Sequence, residues 1–219
     1  MTDRRRRIVL SGFGGAVLYL SVQQLFAQGK APRGVARVRG DARVNRVPAK
    51  PRMAVRPGDT VITGRDGEIA FVIGRDAMLL RADSRVETHG AAGALIATGF
   101  RIVSGAILSV FTPHEPKTLV ASTATIGIRG TGVYIESEPG RTYVCTCYGE
   151  AVIASLGDPA AREVVKTRHH DQPRYVMAMG APQMLMQAPV INHTDAELTL
   201  LESLTGRKPP FAGKRYSDY

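Results

Sequence analysis

Short apolar runs broken by glycine dominate the middle of the chain. Residues 34–40 (GVARVRG) alternate apolar and polar side chains, the period of a half-buried strand. Further on, TVIT (60–63), EIAFVI (68–73) and AMLLR (77–81) are separated by GRDG and GRD. In such turns glycine supplies unusual backbone angles and aspartate bonds its own amides. Pro48, Pro51 and Pro57 resist helix in the stretch between the first two runs. More strands are predicted at 94–98, 100–103, 106–111, 117–121, 132–136, 142–148 and 150–155. Turn signals at this spacing imply an all-β fold, either β-solenoid-like or a compact β-roll or sandwich of short strands.

The tail differs. Residues 156–174 are polar and are predicted to loop, and residues 175–190 carry Met177, Met179, Met184 and Met186. One helix is predicted at about 195–205. Thr194 and Glu197 fit a capping box, and Leu198, Leu201 and Leu204 form one face with Leu200 beside them. Gly206 suits the position after the helix, and Pro209 and Pro210 prevent continuation. The pattern thus divides the chain into a β-domain at 28–155 and a loop-rich C-terminal extension at 156–219, whose helix caps the β-domain.

The first 27 residues read as a targeting segment. Four arginines at 4–7 precede an uncharged run at 8–26, and Ala27-Gln28-Gly29 follows, with small residues at 27 and 29. Such a pattern describes a secretory signal peptide. Gln23 and Gln24 shorten its continuous apolar part, and Leu25 is a poor residue three places before a cut after Ala27. Retained instead, the run would serve as an N-terminal membrane anchor. Both readings place the remainder on the periplasmic side of the cytoplasmic membrane.

Composition adds a positive balance. The 29 Lys and Arg against 19 Asp and Glu give +10, and residues 1–27 hold four of the former and one of the latter, leaving +7 for the rest. Anionic envelope polymers are compatible partners, although an Arg-rich composition alone would give the same balance. The basic residues are scattered and Trp is absent, so no nucleic-acid module is indicated.

Several of these pieces, in this order, resemble the FecR domain, named for an iron-dicitrate sensor of bacterial cell-surface signalling. Residues 34–40 resemble its opening strand, and 55–64 (VRPGDTVITG) its Gly-Asp and Thr-Gly signature. Residues 69–80 resemble the two strands that follow. Residues 121–134, around Arg129-Gly130-Thr131, resemble its centre, and 148–153 its closing turn and strand. The resemblance implies a β-solenoid-like or β-roll fold and a binding or sensing role. Signalling members carry a cytoplasmic helical segment that binds a sigma factor. Only seven residues precede the apolar run here, so the expectation is a stand-alone extracytoplasmic domain. Arg129 is expected to pair with a carboxylate beneath the sheet or to contact a ligand.

Cys145-Thr146-Cys147 is the sharpest chemical feature. Two residues apart on a strand, the cysteines share a face, with Cβ atoms about 6.6 Å apart. A disulfide needs about 3.8 Å, so a bridge would require a local bend, whereas two thiolates on one soft metal would need less. His169, His170 and His193 and the four methionines are further candidate ligands. Cys, Met and His together suit Cu(I) or Zn. The competing readings are a redox-active or bridged pair, buried thiols, solvated histidines and methionines that only fill space. No Cys-x-x-Cys occurs, which disfavours an iron–sulfur cluster or haem.

No nucleophile elbow, phosphate-binding loop or metalloprotease helix is present. The sequence thus leads to an exported, non-enzymatic sensing, binding or scaffold domain whose partner is an envelope protein or a cell-wall or envelope polymer. The alternative is a periplasmic copper- or zinc-binding or redox protein that uses Cys145 and Cys147 with His169 and His170.

Overall fold

Two strands longer than any the sequence predicts organise the molecule. The computed structural model describes residues 33–91, 93–214 and 216; the expected targeting segment at 1–27 lies outside these. β8 (Gly99–Val110) and β12 (Arg141–Ser155) each run through two sheets. The first sheet holds β1 (Gly34–Arg39), β5 (Glu68–Ile73), β6 (Asp76–Leu80), the second half of β8, β11 (Gly132–Glu138), the first half of β12, β14 (Arg174–Met177) and β15 (Leu185–Gln187), in that order. The second holds β3 (Val47–Pro48), β2 (Ala42–Val44), β4 (Thr60–Thr63), β7 (Arg85–His89), the first half of β8, β9 (Pro116–Val120), β10 (Ala124–Arg129), the end of β12 and β13 (Arg162–Thr167). Only β8 and β9 pair in parallel among the described residues.

Glycines mark the corners where the long strands change sheet. Gly105 has φ +79° and Gly149 φ +93°, values costly for any other L-residue. A Cβ at Gly105 would also lie 2.3 Å from Ser84 Oγ. Sequence reading takes both glycines as turns and divides each strand in two. The structure joins 100–103 with 106–111, and 142–148 with 150–155, because a strand can bend at a positive-φ residue and keep its ladder on each side.

The first sheet is buried on both faces. Ile69, Phe71, Ile73, Met78, Leu80 and Val144 belong to the cluster between the sheets. Their neighbours Ala70, Val72, Ala77, Leu79, Tyr143, Cys145 and Cys147 point the other way, into a second cluster. Two-sided burial explains why 69–73 and 77–80 are continuous apolar runs rather than alternating ones.

That second cluster is closed by helix α1 (Asp195–Leu204) and Phe211. Leu198, Leu200, Leu201 and Leu204 are buried, and α1 packs on β6 and β8. The capping box is present, with Glu197 N donating to Thr194 Oγ1 at 3.3 Å and Thr194 N to Glu197 Oε2 at 2.9 Å. At the other end, Glu202 accepts hydrogen bonds from the Tyr148 hydroxyl and from Arg207 Nε. A Thr194→Ala variant is expected to lose about 1 kcal/mol of stability through the exposed amide it leaves, read as a shifted urea midpoint at constant slope.

Four sequence expectations are corrected. Residues 156–174 are not one loop, because 162–167 form β13 against β12; Val165 is buried while Val164 faces solvent, an alternation hidden by the flanking charges. The stretch 175–190 adds β14 and β15 to the first sheet. Residues 94–98 form no strand, since Leu95 and Ile96 stay exposed and gain nothing from a sheet. Arg129 ends β10 on the surface, not beneath the sheet.

Candidate metal centre

Three segments converge on the face of the first sheet that α1 covers. β12 supplies Cys145 and Cys147, both entirely buried. Pairing with β11 runs from Val133 opposite Thr146 directly to Gly132 opposite Tyr148, so Cys147 is an extra residue in the ladder. A bulge of this kind bends the strand and re-aims its side chains. It supplies the local bend that regular strand spacing lacks, and the two sulfurs come within 4.8 Å of each other. No disulfide joins them.

The segment after β13 supplies His170. Asp171 Oδ2 accepts from Thr167 Oγ1 and Arg168 N and so shapes the turn. His170 adopts φ +52°, and its backbone N–H donates to the Cys147 carbonyl at 3.0 Å. This bond fixes the loop to the strand beside the sulfurs. The segment before α1 supplies His193, immediately preceding the N-cap Thr194. Its ring stacks on Tyr134 at 4.6 Å.

Cys145 Sγ, Cys147 Sγ and one ring nitrogen from each of His170 and His193 all lie within 4.8 Å of one another. Two of the separations are 3.4 Å, from Cys145 Sγ to His170 Nδ1, and 3.0 Å, from His170 Nδ1 to His193 Nε2. Tetrahedral zinc, with bonds of about 2.3 Å to sulfur and about 2.0 Å to nitrogen, would give edges of about 3.5 Å for S···N and about 3.3 Å for N···N.

The outer hydrogen bonds fix the ring tautomers. His170 Nε2 lies 3.1 Å from Asp195 Oδ1, and His193 Nδ1 lies 2.6 Å from the Ile191 carbonyl. A carbonyl only accepts, as does an ionised carboxylate, so the proton of each neutral ring sits on the outer nitrogen. The two inner nitrogens then present lone pairs to each other at 3.0 Å, beside the sulfur of Cys145. Facing lone pairs in a buried site repel each other unless a proton or a metal ion sits between them. Metal-bound histidines carry this same outer pattern, one ring nitrogen on the metal and the other N–H on a carboxylate or carbonyl.

The electrostatics agree. Burial pushes the Cys145 thiol up, but Cys147 and the two rings, once a proton is held on their inner side, outweigh it and leave Cys145 well below the usual thiol range. Burial and the neighbouring Cys145 hold Cys147 well above that range. For His170, burial favours the neutral ring, yet Cys145 and Asp195 raise its affinity for a proton. A proton and a metal ion answer the same concentration of negative charge.

Of the four residues expected from sequence, Cys145, Cys147 and His170 meet in this centre. His169 points elsewhere: its Nε2 lies 2.7 Å from Asp195 Oδ2, and its ring stacks on Tyr216 at 4.1 Å. It forms a second, partly exposed group with His170 and Asp195. The fourth residue of the cluster is His193, and Asp195 is the carboxylate on the outer side of His170. Their signal lay in the capping box, which fixes the direction of the residues on both sides of Thr194. The methionines lie on the β14–β15 hairpin. Met177 stands opposite Arg141, four residues or about 13 Å along β12 from Cys145, and Met179 is 78% exposed.

No family model matches this chain, and no curated protein matches it. Two crystal structures of a protein from Parabacteroides distasonis ATCC 8503, described as a "putative anti-sigma factor", are similar over 59% of this chain and 58% of that chain. Each gives a TM-score of 0.48 at 9% identity.

Proposed function

We propose that this chain is a zinc-binding, non-enzymatic domain that works outside the cytoplasmic membrane as a sensing or scaffold module of the FecR type. One observation carries the zinc: two buried sulfurs and two imidazole nitrogens converge within 4.8 Å, while the outer nitrogen of each ring is held by an oxygen. A soft S₂N₂ set of tetrahedral reach selects zinc over hard cations. All four side chains lie within the protein, at most 5% exposed, which fits a closed structural site rather than a catalytic site with an open coordination position. The chain Cys145–His170–Asp195 has the form of an activated nucleophile, but its sulfur has no exposed surface for a substrate to approach. The zinc joins β12, the loop after β13 and the start of α1, and so holds the C-terminal segment on the sheet. The FecR reading rests on the ordered sequence pieces, and the extracytoplasmic one on the basic start and apolar run at 4–26.

A zinc competition titration of the anaerobically purified chain tests this. One equivalent is expected to bind, and Asp195→Asn is expected to bind about 10–100-fold more weakly because the outer partner of His170 loses the negative charge that strengthens the ring as a ligand. A chain that takes up no zinc overturns the reading. An Asp195→Asn affinity equal to the parent's removes the carboxylate from it.

A further inference from the structure

Apart from the Cys/His cluster, a groove of about 380 Å³ opens between the start of β1, the loop at 52–57, the β5–β6 turn and the loop at 94–96. Arg33, Arg52, Arg56 and Arg75 line it, and no Asp or Glu is among its described lining residues. The nearby Asp59 is committed to its own turn, accepting from Arg56 N at 2.7 Å and from Asn45 Nδ2 at 2.6 Å. Beside the arginines stand Leu95, 71% exposed, and Ile96, 46% exposed.

We infer that this groove is a membrane-facing site that takes the phosphate headgroup of an anionic phospholipid while Leu95 and Ile96 enter the acyl boundary. Three features commit it to a bilayer. The guanidiniums of Arg33, Arg56 and Arg75, with no carboxylate among the described lining residues, complement phosphate, which arginine engages with two parallel hydrogen bonds. Adjacent aliphatic side chains next to those charges are costly in water and favourable at a lipid interface, where apolar burial and charge attraction act together. The third is the tether. The apolar run ends at Phe26, and six residues, 27–32, separate it from Arg33, itself part of the groove. Six residues reach at most about 20 Å, so a membrane-inserted run holds this groove, rather than the opposite end of the domain, near the headgroups. The inference rests on the run being retained in the membrane, which the test reads separately.

The test is amide hydrogen exchange on the full chain reconstituted in phosphatidylcholine vesicles and in phosphatidylglycerol vesicles. Segments 52–57 and 91–98 are expected to exchange several-fold more slowly in the anionic vesicles only. Arg56→Glu with Arg75→Glu, both exposed, is expected to abolish that protection. Equal exchange in the two vesicles, or full protection in the double variant, overturns the inference. Glycerol phosphate giving the same protection in phosphatidylcholine vesicles would make the groove a pocket for soluble anions and overturn its membrane role. Flotation reports the anchor independently. If the chain fails to float with phosphatidylcholine, the anchor reading fails, and flotation with phosphatidylglycerol then reads the groove alone: binding there supports it and absence overturns it.

Discussion

Replacing His193 with alanine is expected to strip the chain of zinc and release α1 from the sheet. His193 contributes the Nε2 that faces His170 Nδ1 at 3.0 Å, and it is the ligand that joins the helical segment to β12. Zinc at a free concentration about 1,000 times its dissociation constant stabilises a protein by about 4 kcal/mol. For a chain of this size that corresponds to roughly 8–16 °C of melting temperature. The parent should therefore lose that amount on chelation, while His193→Ala should melt at the chelated value and ignore the chelator. Hydrogen exchange should quicken in α1 and around His170, but not among Phe71, Ile102 and Val144 of the cluster between the sheets. Acidification should act in the same direction as chelation, since each ligand must lose its proton to bind metal and affinity falls as pH falls. A His193→Ala chain that still responds to chelator would contradict the assignment of this ligand.

The second large effect is expected at Lys117, far from any ligand. Its ammonium is buried on β9, 3.3 Å from Asp76 Oδ2, 3.0 Å from Glu115 Oε2 and 2.8 Å from the Ala97 carbonyl. Asp76 is equally buried, and its other oxygen accepts from Thr112 N and Thr112 Oγ1. Lys117→Met keeps most of the apolar stem but leaves the Asp76 carboxylate without its counter-charge. Breaking a buried pair from one side costs about 3–5 kcal/mol. Adding Asp76→Asn should restore most of that loss, because the amide oxygen can still accept from Thr112 and no charge remains. Urea denaturation of both variants checks this. If single and double variants lose equally, the stem's packing and not the charge sets the stability.

The all-β class and the helix were legible because each rests on local periodicity and cap chemistry. The sequence expectations at 60–63, 68–73 and 77–81 correspond to β4, β5 and β6, and Thr194 with Glu197 forms the expected box. The pairing of strands was not legible. Gly105 and Gly149 look like turn glycines in one dimension, yet each lets one strand serve two sheets. The same holds at the site. Period-two reading puts Cys145 and Cys147 on one face, but the bulge that draws their sulfurs together depends on register with β11. His169 and His170 are adjacent in sequence, and only the left-handed backbone at His170 decides which of them faces the sulfurs.

Zinc-edge X-ray absorption on the anaerobically purified, zinc-loaded chain tests the central claim most directly. The account predicts one zinc per chain with two sulfurs at about 2.3 Å and two imidazole nitrogens at about 2.0 Å. A chain that retains no zinc, or a first shell of nitrogen and oxygen without sulfur, would contradict it.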